Sequence, residues 1–143
     1  MALINTYLHF DGNAEEAFNF YKSVFGGEFA VLQRYGDVSD QPGCGNISES
    51  DKEKIMHIAL PIRKENILMG SDTPKAMGQQ LLVGNNFSIS VHTESREETE
   101  KILNGLSTGG QVTMPLADTF WGSYFGMCKD KFGTQWMVSF DKQ

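Results

Sequence analysis

Few side chains in this 143-residue sequence are equipped to do chemistry, and they fall at recognisable places. The histidines are His9, His57 and His92. Imidazole titrates near neutral pH, so His57 or His9 could act as a general base. Both belong to runs that alternate apolar and polar residues, Ile4–Phe10 and Lys54–Ile62. Strand side chains alternate between faces. His9 is therefore expected beside Asn5 and Tyr7, opposite Thr6, Leu8 and Phe10. His57 is expected with Ile55 and Ala59, opposite Met56, Ile58, Leu60 and Ile62. His57 also reads as a hydrogen-bonded wall residue, and His92 as a residue at a strand end. Asp72, after Met69-Gly70-Ser71, and Asp118, before Thr119-Phe120-Trp121-Gly122, could each stand beside a histidine or contact a ligand. Equally, Asp72 could satisfy backbone amides at a strand end and Asp118 could cap a turn. Trp121 reads as packing or as the cap of a ligand cavity. Met137 and the other methionines read as adaptable filling.

The elements that would position these groups follow from periodicity. Asp11-Gly12 makes a turn after the first strand, and Asn13 with Glu16 resembles a capping box. Ala14, Ala17, Phe18, Tyr21 and Phe25 recur at helical steps. Gly26-Gly27 ends that helix, as a glycine past a helix end should. Strands are expected over about 28–35, 54–62 and 66–71, with an exposed loop at 36–52 and a linker at 73–85. A similar order returns: a strand from Asn86 to His92, a helix capped by Ser95 and Glu98 and ended by Gly109-Gly110, then strands over 111–116, 123–129 and 134–140. Matched order, paired acidic residues (Glu15-Glu16, Glu97-Glu98) and matched Gly-Gly ends predict a duplicated βαβββ unit, with module one at about 3–72 and module two at about 86–141.

Composition bounds the rest. The chain is 40% hydrophobic and 21% charged, as globular domains are, with a net charge of −6 and no basic run. That predicts neither a nucleic-acid partner nor a membrane surface. Cys44 and Cys128 share no CxxC spacing, so reduced thiols are expected. No signal peptide and no spanning segment are expected, which places the protein in the cytoplasm.

The run Tyr7-Leu8-His9-Phe10-Asp11-Gly12-Asn13-Ala14-Glu15-Glu16-Ala17 resembles the opening of PhnB-like proteins. So do Phe20-Tyr21 with Phe25-Gly26-Gly27, Met69-Gly70-Ser71-Asp72, Asp118-Thr119-Phe120-Trp121-Gly122, and Asp130 to Gly133 with Trp136. These proteins belong to the vicinal-oxygen-chelate superfamily of glyoxalase I, bleomycin-resistance proteins and extradiol dioxygenases. The resemblance implies an α+β fold, with two tandem βαβββ modules forming a curved mixed sheet around a shared cavity, often in a homodimer. Some relatives carry a demethylubiquinone methyltransferase label. This sequence lacks the glycine-rich strand-to-helix turn that cradles a nucleotide-like cofactor; its Gly-Gly pairs follow helices.

Metal-using members of the superfamily place His or Glu on the first and last strands of each module. Here those places fall at Asn5–Tyr7, on a strand 66–71 without His or Glu, at Asn86 or Ser88, and at Met137. No metal and no other cofactor are therefore expected. The first-ranked reading is a metal-free binder of a small organic molecule, with a cavity lined by Tyr7, His9, His57, Trp121, Phe125 and Met137, and with Asp72 and Asp118 as further ligand contacts. A metal-free acid–base enzyme ranks second, and a metal-dependent enzyme of glyoxalase or dioxygenase type third.

Overall fold

The computed structural model describes residues 2–38, 48–63, 65–74 and 80–141; Cys44, Met77 and the middle of the expected 36–52 loop lie outside the described residues. The chain divides into two compact units, Met1–Leu82 and Val83–Gln143. The first carries β1 (Thr6–Phe10), α1 (Ala14–Phe25), β2 (Val31–Arg34), β3 (Ile55–Arg63) and β4 (Asn66–Asp72), in sheet order β1-β4-β3-β2. The second carries β5 (Ile89–His92), α2 (Arg96–Ser107), β6 (Gln111–Asp118), β7 (Ser123–Lys129) and β8 (Gln135–Asp141), in sheet order β5-β8-β7-β6. Each unit is thus a βαβββ module with its own four-stranded mixed sheet. In each, the first strand lies parallel to the last and the other pairings are antiparallel.

In the first module α1 buries Ala14, Ala17, Phe18 and Tyr21 against one sheet face, where Leu8, Phe10, Ile58, Leu60 and Leu68 are also buried. Each large apolar side chain so buried contributes about 1.5–3 kcal/mol. Gly70 permits the close approach: a Cβ there would stand 2.7 Å from Phe18 Cε1 and 2.8 Å from the Leu8 carbonyl. In the second module α2 buries Thr99, Leu103 and Leu106, and the sheet contributes Tyr124, Cys128, Trp136 and Val138. Burial pushes the Cys128 thiol up to about 11, with Asp130 adding to the shift, so it packs as a small apolar group.

Several local expectations are corrected. Asn13 makes no side-chain cap; Asp72, from the far side of the module, takes the amides of Gly12 and Ala14 instead (3.0 and 2.9 Å). Ser95 does cap α2 by accepting from Glu98 N at 3.1 Å, while the Glu98 carboxylate reaches back to Glu94 N, one residue before the cap. β5 starts at Ile89, leaving Phe87 exposed ahead of it. A register shift between Gln33 and Arg34 skips Met56, so Ile55 is fully buried and Met56 is not, the reverse of simple alternation. β6 runs on to Asp118, which therefore ends a strand and is not a loop residue.

The Arg34 guanidinium joins β2 to α1 by a two-pronged pair with Glu15 at 3.0 and 2.7 Å. Its hydrogen bond and charge hold the Glu15 carboxyl below its ordinary range against partial desolvation. A lowered carboxylate pKa means that its stabilisation is present above the unfolded-state pKa and is lost as pH falls through the folded value. The pair is partly exposed, so about 0.5 kcal/mol is expected. In urea titrations the gap between wild type and Glu15→Gln should be open at pH 7 and close as the pH falls below the ordinary glutamate range; a gap that persists in acid would show that packing, not charge, is responsible.

Candidate functional site

The face of the first sheet away from α1 carries the candidates. Along β1, Tyr7 and His9 are exposed while Leu8 and Phe10 are buried. Pairing with β4 sets Tyr7 opposite Met69 and His9 opposite Ser71. Ile58 pairs with Gly70 and Ala59 with Met69, so His57, one step before Ile58, lies beside Ser71, one step after Gly70. His9, Ser71 and His57 thus form a row across three strands, with Tyr7, Met69 and Ala59 in the row beside it.

These rings touch. The Tyr7 ring is stacked on His57 with centroids 5.7 Å apart and 17° between planes, and lies 5.1 Å from His9. Tyr7 Oη is 3.3 Å from His57 Nδ1. When Nδ1 is unprotonated the phenol donates to it; when it carries the proton the phenol oxygen accepts. The group can therefore present a flat aromatic surface edged by a proton donor and acceptor. Tyr7 keeps 39% of its surface exposed.

Neither aspartate joins this face. Asp72 pairs with Phe10 and so turns to the helix side of its sheet. It is 2% exposed, and its carboxylate accepts from the amides of Gly12, Ala14 and, at 2.8 Å, Ile55. There it joins α1, β3 and β4, as the reading of Asp72 as an acceptor of backbone amides expects. Asp118 pairs with Tyr124 on the helix side of the second sheet and accepts from Arg96 on α2 at 2.8 Å. Arg96 in turn lies 3.9 Å over the Tyr124 ring, and the Tyr124 hydroxyl donates to Glu100 at 2.9 Å. That hydrogen bond to a carboxylate favours the protonated phenol and raises the Tyr124 pKa, aided by burial.

The other face of the second sheet holds Phe125 and Met137. Phe125 pairs with Ser139, Met127 with Met137, and Met137 with Ser90. Trp121, 58% exposed in the turn after β6, meets Phe125 edge-on with centroids 6.1 Å apart. Met69 and Ser71 were noted only as part of the Met69-Gly70-Ser71-Asp72 motif and Ser139 not at all, because the neighbours of all three are set by long-range register.

Among the described residues no group of three or more His, Cys, Asp or Glu is placed to hold a metal ion. On the Tyr7 face the strand positions offer His9 and His57 but no carboxylate, since Asp72 is turned away and occupied by backbone amides. The first-module donors among the described residues do not fit the metal.

Two βαβββ modules of matching strand order make up a fold shared with a glyoxalase-related enzyme from Fulvimarina pelagi (14% identical over 98% of this chain and 89% of its own, TM-score 0.64) and with a glyoxalase/bleomycin resistance protein/dioxygenase family enzyme from Burkholderia phytofirmans PsJN (14% over 96% and 98%, TM-score 0.59); at that identity the likeness is one of fold alone. The model of the family described as 3-demethylubiquinone-9 3-methyltransferase matches residues 2–139, and the chain belongs to this family of PhnB-like proteins. Protein PA1353 from Pseudomonas aeruginosa is 36% identical over the whole of both chains, with a TM-score of 0.85. A PhnB protein from Bacillus cereus is 28% identical over 96% of this chain and 98% of its own, with a TM-score of 0.74. Protein YjdN of Escherichia coli (strain K12) is 25% identical over 98% of this chain and 96% of its own.

Proposed function

We propose that the chain is a metal-independent, PhnB-like binder of a small organic molecule, held in its first module on the face of Tyr7, His9 and His57. The observation that carries this reading is the Tyr7 ring, partly exposed, stacked on the His57 imidazole and beside the tilted ring of His9. A phenol so placed offers an aromatic ligand a flat surface with polar atoms at its edge. In the second module, taken by itself, Trp121, Phe125 and Met137 offer ligand contacts on the sheet face away from α2. The reading includes a homodimer in the cytoplasm: Ile4 and Phe120, each 97% exposed, are apolar surface that association would cover. No helix among the described residues is long and apolar enough to cross a membrane.

Methyl transfer is not part of this proposal. The amides at the start of α1, where an anionic cofactor group could dock, already receive Asp72. One observation favours a second reading as a metal-free enzyme: the Tyr7–His57 hydrogen bond could pass a proton to or from a substrate.

Thermal-shift screening of aromatic and thiol-conjugated compounds tests the first reading, because a ligand of the folded state raises the melting temperature. Tyr7→Ala should abolish the shift from any hit, and Tyr7→Phe should retain most of it. A stoichiometric divalent ion in protein purified without chelator, lost on replacing His9 and His57, would overturn the metal-independent reading. For the second reading, turnover of a hit should lose its pH dependence in His57→Ala.

A further inference from the structure

The second module repeats the chemistry of the first in altered form. Counting by register, His92 opposite Ser139 occupies the place of His9 opposite Ser71, and Ser90 opposite Met137 the place of Tyr7 opposite Met69. The correspondence is hidden in the sequence because α2 starts four positions after His92, whereas α1 starts five positions after His9. His92 Nδ1 lies 3.2 Å from Ser139 Oγ and His92 Nε2 3.4 Å from Ser90 Oγ. In either tautomer one serine donates to the ring and the other accepts from it, so hydroxyl hydrogen-bonding capacity remains at this end of the face.

Away from β5 the same face becomes apolar. Met137, Met127 and Met114 follow one another across β8, β7 and β6, with Phe125 and Trp121 beside them. Thioethers are polarisable and pack well on aromatic rings. The charged strand position adjoining Ser139 on this face is Asp141, which accepts from Ser123 Oγ. Lys129 stands at the other end of β7, beyond Met127. Among the described strand positions of this face, a carboxylate lying over Ser139 would meet the like charge of Asp141, while the cation, Lys129, stands beyond Met127.

We propose that this face binds a neutral aromatic alcohol, its ring over Met127, Met137 and Phe125 and its hydroxyl at His92 and Ser139. The proposal rests on the reading of the chain as a small-molecule binder, and it names a ligand class and a second place. The test is an NMR titration of methionine-methyl-labelled protein with 2-naphthol, naphthalene and 2-naphthoate. Naphthol should move the Met127 and Met137 methyl resonances and bind more tightly than either comparator. His92→Ala, an exposed change, should weaken it about fivefold, as loss of a hydrogen bond does; Ser139→Ala should do the same. Equal affinity for naphthalene and naphthol, or unmoved Met127 and Met137 methyls, would overturn the proposal. If other compounds bind and move only the Met69 methyl, opposite Tyr7, this inference fails and the broader reading stands; if no compound moves a resonance or the melting temperature, both fail.

Discussion

Asp72→Ala is expected to destabilise the first module by about 3–5 kcal/mol, the range for removing one side of a buried charged hydrogen-bond network. The carboxylate accepts from Gly12, Ala14 and Ile55 amides, and the Asp72 carbonyl accepts from the buried Tyr35 hydroxyl at 2.9 Å. Alanine leaves three backbone donors without an acceptor where water has little access. Asp72→Asn should cost less, since one oxygen can still accept while the new NH2 faces amide donors. Circular dichroism during urea unfolding is the measurement. A loss below about 1 kcal/mol for alanine would mean that water or rearrangement satisfies the amides, and that Asp72 is not the joint described.

The second large effect is expected at Asp130. Its Oδ1 accepts from Phe132 N and Thr134 N at 2.9 and 3.0 Å, closing the β7–β8 turn, and its Oδ2 accepts from Trp136 Nε1 at 2.9 Å. Trp136 is the largest fully buried side chain of the protein's described residues. Asp130→Ala removes the acceptor of the buried indole N–H and opens the turn, a loss of about 2–4 kcal/mol. Both tryptophans, Trp121 and Trp136, belong to the second module, so fluorescence follows that module alone. Asp130→Ala should shift the fluorescence-detected midpoint downward. An unchanged fluorescence midpoint would show that the indole finds another acceptor. Comparing fluorescence with circular dichroism in Asp72→Ala further shows whether damage to the first module is felt in the second.

Much of this architecture was legible because its causes are local. Alternation located the eight strands to within a few residues, and helical spacing with Gly-Gly ends located both helices. The motif series from Tyr7 to Trp136 named the family correctly. The face of β1 was also read correctly, because its polar and apolar residues alternate cleanly. β4 was harder: Leu68 and Gly70 alternate with Met69 and Ser71, neither set is plainly polar, and so the side to which Asp72 turns could not be read.

The sequence by itself determined the two modules, their order of elements and the candidate chemistry of Tyr7, His9 and His57, since each depends on neighbours a few residues away. Only the tertiary structure decided what those groups meet. The caps of α1 come from Asp72, some sixty residues on, and Asp118 turns to Arg96. His57 reaches Tyr7 across fifty residues, and His92 proves to be the counterpart of His9. Strand register sets all of these, and register is a property of pairing between distant segments. One residue's difference before a helix is enough to conceal in the sequence a correspondence that the paired strands make plain.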